Sequence, residues 1–414
     1  MTVTCKPENQ AKANTQTGLK SKLVKVGQVV SLLLWLVLMV ANTAGCSAPS
    51  QGTPGGQAPA VVTVWYSLSG AAEQELLNQF NRINQERPEV IVKGVRIPQE
   101  EFVEQVWNYQ AGGEGPDIVI ADRPTLVALY EKGAISPVLA QNYNAYKSIE
   151  RVFSFNNNQI AAPWLVDVPL FYYRTDGERQ PIIDVNQLAS QKLVLAAEAF
   201  NTALFSSWWL AEGGSLASEN SPTLNSPANL NFTQKIQTLY SEGLLSVSAN
   251  AKQQFIRAEV DYLIAWAGDS PAFNQAKIPY KSTLNLVTGA KGRFLVSRCL
   301  GIANSSIKST PAMEQPIRLV QEELLKVETQ AALHRASGLY PAHVAYYEDA
   351  EQAGPETQIA SALQNAVSYE GNSLQWQVLA VQDQAWRNIL VGADAESALA
   401  TAQQKAREAL RAAQ

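Results

Sequence analysis

The sequence predicts an α/β chain of two halves, each a mostly parallel sheet flanked by helices. Three observations carry this. From Val61 to Lys132, β-branched apolar runs alternate with apolar residues at helical spacing. A second set of strand-like and helix-like segments starts after Ile160. About 350 residues lie beyond the N-terminal segments, more than a single hydrophobic core holds.

The elements follow in order. Val61-Val62-Thr63-Val64-Trp65-Tyr66 reads as a buried strand. Ser69 stands at the N-cap of a helix whose apolar residues are Leu76, Leu77, Phe80 and Ile83, with Pro88 as its stop. A second strand runs from Val90 to Ile97, and Phe102, Val103, Val106 and Trp107 mark a second helix. Asp117-Ile118-Val119-Ile120-Ala121 is a third strand, followed by a helix from Thr125 to Lys132 that Gly133 ends. Strand and helix in this alternation give parallel strands joined by crossover helices. Ligands in such sheets sit beyond the carboxyl ends of the strands. Tyr66, Ser67 and Ser69 leave the first strand at that edge, and Asp122 and Arg123 leave the third.

In the second half, Ile160–Trp164 and Leu170–Arg174 are extended and apolar. Leu193-Val194-Leu195 is a buried strand, and helices are predicted over 203–212 and 232–242. Val260–Trp266 reads as a further strand, with Ala267-Gly268-Asp269 turning after it. The stretch 374–414 is helical, rich in Ala, Gln and Leu.

The N-terminus is of another kind. Lys20, Lys22 and Lys25 precede an apolar run from Val29 to Val40, and small residues lead to Ala44-Gly45-Cys46. Basic flank, apolar run and small residues form an export signal. A Cys at the cut point resembles a bacterial lipobox, although Thr43 stands where such boxes prefer Leu. That resemblance implies removal of residues 1–45 and lipid on Cys46; an uncleaved membrane anchor is the alternative. Residues 46–60 are small residues, Pro and Gly with too little to bury, and read as a flexible linker.

Composition excludes several functions. The chain is 46% hydrophobic and 17% charged with a net charge of −5, as in ordinary globular proteins, and its Lys and Arg are scattered. No basic stripe suited to nucleic acid exists. Cys5, Cys46 and Cys299 are the only cysteines, so the processed chain has no partner for Cys299, which reads as a buried apolar residue. With two histidines, His334 and His343, a His-based metal site or triad is not supported, and no cofactor is implied. No nucleophile elbow or phosphate-binding Gly-Lys loop occurs.

Several stretches together resemble a known family. These are Pro116–Arg123 with Gly133–Val138, Ala162–Asp176, Leu210–Gly214, and Ile389–Gly392 with Glu396–Gln403. In this order they are similar to extracellular solute-binding proteins of ABC importers, of the large family that includes the maltose-binding protein. Arg174 stands where the family usually has Asn, and Ala267-Gly268-Asp269 where it often has Gly-Pro-Trp. The resemblance implies a two-lobed periplasmic-binding-protein fold of the type II kind. The N-terminal lobe would comprise 61–165 with about 280–340, and the C-terminal lobe 166–279 with about 341–414. The lobes would be linked near 164–170 and 278–305.

It also implies the site. A sugar needs flat aromatics for its C–H faces and charged or polar groups for its hydroxyl rim. The resemblance places Trp65, Trp164, Trp208, Trp209, Trp266 and Trp376 near the cleft, with a packed core as the alternative for each; Trp208 and Trp209 are adjacent on a helix, so at most one reaches ligand. Trp164 and Trp266 are preferred because each ends a strand beside a polar residue. Asp122 and Asp167 stand where the family sets carboxylates against sugar hydroxyls. Asp122 also reads as a helix cap ahead of Pro124, and Asp167 lies among apolar neighbours, where a carboxylate needs a partner. Arg123 is a hydroxyl donor or a salt-bridge partner, Asp269 a turn residue or rim acceptor, and Tyr340 a cleft cap or loop-packing residue. The implied partners are a small solute, most simply a carbohydrate, ABC permease subunits, and a membrane through Cys46, with the protein a monomer. A secreted carbohydrate-active hydrolase and a sensory lipoprotein for another polar solute stay open as alternatives.

Overall fold

The computed structural model describes residues 58–138, 143–176, 186–218, 221–284, 292–306, 310–348, 355–368 and 373–412. The apolar run, Cys46 and most of the linker lie outside the described residues.

The first strand, Ala60–Tyr66, is the centre of a parallel trio. It pairs with Val90–Arg96 on one side and Ile118–Asp122 on the other. Side chains on a strand alternate between faces, and both faces here are apolar. Val62, Val64, Tyr66, Ile118 and Ile120 pack with Leu76, Phe80 and Ile83 of the helix Gly70–Glu86. Trp65, Val119 and Ala121 face the other way, against Phe102, Val106 and Leu126 from the helices Phe102–Ala111 and Arg123–Glu131. The crossover helices thus cover both faces of the sheet, as their connections require. Ser69 does occupy the N-cap of the first helix, although its hydroxyl makes no cap bond.

The rest of this sheet is antiparallel. Arg298–Ser305 runs against Ile118–Asp122, Ala162–Asp167 against Arg298–Ser305, and Tyr340–Pro341 against Ala162–Asp167. The short strand Ile135–Ser136 completes seven strands. The second sheet repeats the design on five strands. Leu195–Ala197 pairs in parallel with Leu245–Val247 and with Tyr262–Trp266. Pro169–Arg174 then runs antiparallel to Tyr262–Trp266 and to Tyr280–Thr283. Each sheet is therefore mixed: three parallel strands at one edge, continued by antiparallel strands on the other side.

Ala162–Asp167 belongs to the first sheet and Pro169–Arg174 to the second, so Val168 alone separates the lobes there. Tyr280–Thr283 still bonds in the second sheet, so the return to the first sheet begins after Thr283 rather than near 280. Ala342 donates to Trp164 O, and Ala145 bridges His343, so the chain keeps to the first lobe a few residues past 341.

Boundaries shift for local reasons. The helix expected over 232–242 spans Pro227–Ser241, because the Ser226 hydroxyl accepts from Asn229 N and Pro227 stands in the first turn. The C-terminal stretch forms two helices, Ser373–Leu390 and Ala395–Ala412, with Gly392 at φ +107° between them. These two helices and Pro227–Ser241 cover Phe171, Tyr173, Leu195, Tyr262 and Ile264 on the outer face of the second sheet. Among the described residues no helix is long and apolar enough to cross a membrane.

The third meeting of the lobes rests on a glycine. Gly338 ends the helix Val327–Ser337 at φ +74°, and a Cβ there would lie 2.3 Å from Ala267 O and 2.6 Å from Ser270 Oγ. Those atoms belong to the turn after the second-sheet strand Tyr262–Trp266. Gly338→Ala is expected to destabilise the protein by about 1–3 kcal/mol through left-handed strain and this collision. Chemical denaturation would register the loss, and an unchanged midpoint would contradict the contact.

Candidate functional site

Where the lobes meet, a cleft of about 490 Å³ opens beyond the carboxyl ends of the first-lobe strands. Ser67, Leu68 and Ser69 follow the first strand into it, and Asp122 ends the third. Leu165 and Asp167 come from the crossing strand, and Ser297, Arg298 and Leu300 from the strand that returns. Gly268, Asp269 and Pro271 form the second-lobe wall, and Ser337 and Leu339 close one side.

Three carboxylates reach this space, and the protein engages every oxygen of each. Asp122 caps the helix Arg123–Glu131: Thr125 N donates to Oδ1 at 3.0 Å and Gln99 Nε2 to Oδ2 at 3.2 Å. Its cap role and its place in the cleft are thus compatible. Asp269 Oδ1 accepts from Lys252 Nζ at 2.8 Å, and Oδ2 from Trp266 N at 3.1 Å. Asp167 is 7% exposed; Gly268 N donates to Oδ1 at 2.9 Å and Arg298 Nη1 lies 3.5 Å from Oδ2.

Burial pushes the Asp167 carboxyl from 3.8 up to about 6, with the charge of Asp269 adding to it and Gly268 N–H and Arg298 opposing. Arg298 itself is half-exposed, and its guanidinium lies 4.3 Å from the centroid of the Trp266 ring. The first-lobe strand Arg298–Ser305 thereby touches the end of the second-lobe strand Tyr262–Trp266.

The structure brings Ser67, Ser69, Asp122, Asp167 and Asp269 together around one cleft. Other expected residues are elsewhere. Trp164 is fully buried, and its Nε1 donates to Leu324 O at 2.8 Å, so it is a core residue of the first lobe. All of Ala162–Asp167 is buried, so burial on this strand does not alternate with sequence. Trp208 is buried in the second lobe with Nε1 on Glu212 Oε1 at 2.6 Å. Arg123 is buried, bonds Val152 O at 2.5 Å, and burial lowers its pKa to about 10. Tyr66 points under the first helix, where burial and Glu73 raise its hydroxyl to about 12. Tyr340 packs on the His334 ring at 4.7 Å and is buried. Trp266 is 7% exposed, packs in the core of the second lobe outside the cleft lining, and meets the site through Arg298, which lies over its ring. Trp376 lies in the helix Ser373–Leu390, and its side chain is outside the described residues.

Cys299 is buried, as expected, and burial raises its thiol far above the usual range. Arg298, Ser297 and Leu339 are among the cleft residues that sequence reasoning missed. Arg298 carries a readable signal: it is the one charge in the run Phe294–Ile302. Among the described residues, no group of three or more His, Cys, Asp or Glu is placed to hold a metal.

No family model matches the chain, and no curated protein matches its sequence. Solved structures do match. A cyclo/maltodextrin-binding protein complexed with maltotetraose aligns at TM-score 0.71 and 17% identity, over 86% of this chain and 98% of its own. The GacH receptor of Streptomyces glaucescens, solved unliganded and with acarbose, aligns at 0.71 and 15%, over 86% and 99%. The maltose/maltodextrin-binding domain MalE from Bdellovibrio bacteriovorus, bound to maltotriose, aligns at 0.67 and 16%, over 85% and 100%. The chain therefore has the two-lobed periplasmic-binding-protein fold.

The buried carboxylate makes a pH prediction. Between pH 3.8 and about 6 the folded protein keeps a proton on Asp167 that the unfolded chain has lost. Stability from this group is full below 3.8 and is lost as pH rises through about 6. Asp167→Asn is expected to remove a fall on the order of 3 kcal/mol across that window. Denaturation of both proteins at pH 4 and pH 7 measures it; equal pH slopes would contradict the assignment.

Proposed function

We propose that this protein is an extracytoplasmic solute-binding protein that takes a sugar or related polyol between its lobes and delivers it to an ABC permease. The observation that carries this reading is the cleft itself. Asp122, Asp167, Asp269 and Arg298 converge there from both lobes at the point where the chain crosses between sheets. Charged groups fixed by their own protein partners suit the recognition of hydroxyls, which both give and accept hydrogen bonds. The ligands bound by the structural neighbours, maltotriose and maltotetraose, support a carbohydrate.

The same arrangement favours binding over hydrolysis. A glycosidase acid needs its proton free to reach the leaving oxygen. Asp167 has the raised pKa such an acid needs, yet its oxygens face Gly268 N and Arg298. The lobes would close on ligand, with closure stabilised by contacts made only in the closed form. Lipid on Cys46 would hold the monomer at the outer face of its membrane, ready for the permease.

Calorimetric titration of the purified protein with sugars and polyols is expected to give saturable one-to-one binding without turnover. Asp167→Ala and Asp122→Ala should each weaken it by roughly tenfold or more, the scale of a charge-assisted hydrogen bond. Silence to every sugar with a response to an amino acid, peptide or anion would reject a carbohydrate ligand. Release of product from a glycan would reject a binding protein. Anchoring is tested separately: labelled palmitate should enter the wild-type chain and not Cys46→Ser, and label in both would remove Cys46 as the acylated residue.

A further inference from the structure

We infer that Arg298 sets the selectivity of this cleft: it covers the face of Trp266, so a ligand is held through adjacent hydroxyl oxygens and not by stacking a ring face on the indole. The inference rests on the reading of the cleft as a solute site.

The first support is hydrogen-bond accounting. Each oxygen of Asp122, Asp167 and Asp269 has a protein donor or cation against it. The Arg298 guanidinium has five N–H donors, and among the described residues its one polar contact is the 3.5 Å approach to Asp167, at the limit of a hydrogen bond. Arg298 is thus the charged group of the cleft with the most unused capacity. The Ser297 hydroxyl, also on the cleft wall, is buried with no partner. Both point to oxygens that a ligand supplies.

The second support is steric. At 4.3 Å from the ring centroid, the guanidinium occupies the distance at which any planar group stacks on an indole. Trp266 is 7% exposed, so with Arg298 in place little of its ring is open to a sugar. The stack also fixes the planar fork, leaving its N–H edges to read paired oxygens. Charge decides what kind of oxygens. Asp167 offsets Arg298, and Lys252 offsets Asp269, so these pairs favour neutral hydroxyls over an anionic group.

The test titrates the wild-type protein, Arg298→Ala and Arg298→Lys with mannitol, sucrose, trehalose and maltotriose. The Arg298 side chain is 57% exposed, so both variants are expected to fold, and Arg298→Lys keeps the charge beside Asp167. Wild type is expected to prefer a compact ligand among the first three. Arg298→Ala should lose about tenfold for that ligand and gain about tenfold for maltotriose as the Trp266 face opens. Arg298→Lys should also gain for maltotriose, because a compact ammonium covers less of the ring than a planar guanidinium. Unchanged ranking in Arg298→Ala, or wild-type behaviour in Arg298→Lys, would overturn the inference while leaving a sugar-binding cleft intact. Wild-type silence to all four, with binding of an amino acid or anion, would remove the functional reading and the inference together.

Discussion

A single-residue crossing between two sheets constrains the rest of this molecule. Ala162–Asp167 is bonded into the first sheet and Pro169–Arg174 into the second, with Val168 fully buried between them. A chain that changes sheets in one residue leaves no room for a loop, so the residues beside the change are enclosed by both lobes. Asp167 stands there, and enclosing a carboxylate is costly unless donors replace its water. Gly268 N supplies one from the second lobe, and Arg298 approaches from the first. The polar character of the cleft is therefore a consequence of the crossing.

That crossing also explains why each sheet is mixed. Helix-linked segments such as Ala60–Asp122 form parallel strands, because a crossover brings the chain back in the same direction. Arg298–Ser305 and Pro169–Arg174 come from the other lobe and enter antiparallel. Sequence periodicity marks a strand but not the direction from which it arrives. The alternation from Val61 to Lys132 was thus legible in full, while Ala162–Asp167 and Pro169–Arg174 were legible only as extended segments, and Tyr280–Thr283, Arg298–Ser305 and Tyr340–Pro341 were not read as strands.

The candidate site was legible where geometry follows from strand ends. Ser67, Ser69 and Asp122 follow or end parallel strands, and that position alone sends them to the cleft. It failed where burial has no period. Trp164 lies in a run buried on both faces, so its neighbours gave no hint of which way the ring turns. Its indole N–H bonds Leu324 O, which makes it a helix-to-sheet anchor. Trp208 and Trp209 both proved internal, satisfied by Glu212 and Asn229. An aromatic count measures the material for stacking and not its direction. The isolated charge of Arg298 in an apolar run was the better signal, because burying or half-burying it demands a reason.

The contacts that join the lobes at the cleft are few and of modest strength. Asp167 to Gly268 N is a charge-assisted hydrogen bond, worth about 1.5–3 kcal/mol, and Arg298 over Trp266 about 0.5–2 kcal/mol. A ligand that reverses a lobe equilibrium from one-sided to the opposite needs a differential affinity of about 5.5 kcal/mol. The resident contacts fall within that scale, so a handful of hydroxyl hydrogen bonds is enough to compete with them. Behind the cleft, an apolar cluster that includes Val166, Val168, Leu170, Tyr172 and Tyr340 runs between the lobes and is the fixed part of the junction. At the cleft, Gly338 and Gly268 stand where the lobes meet and contribute no side chain. The cleft side of the junction is thus polar, at the place where a small solute has to make the difference.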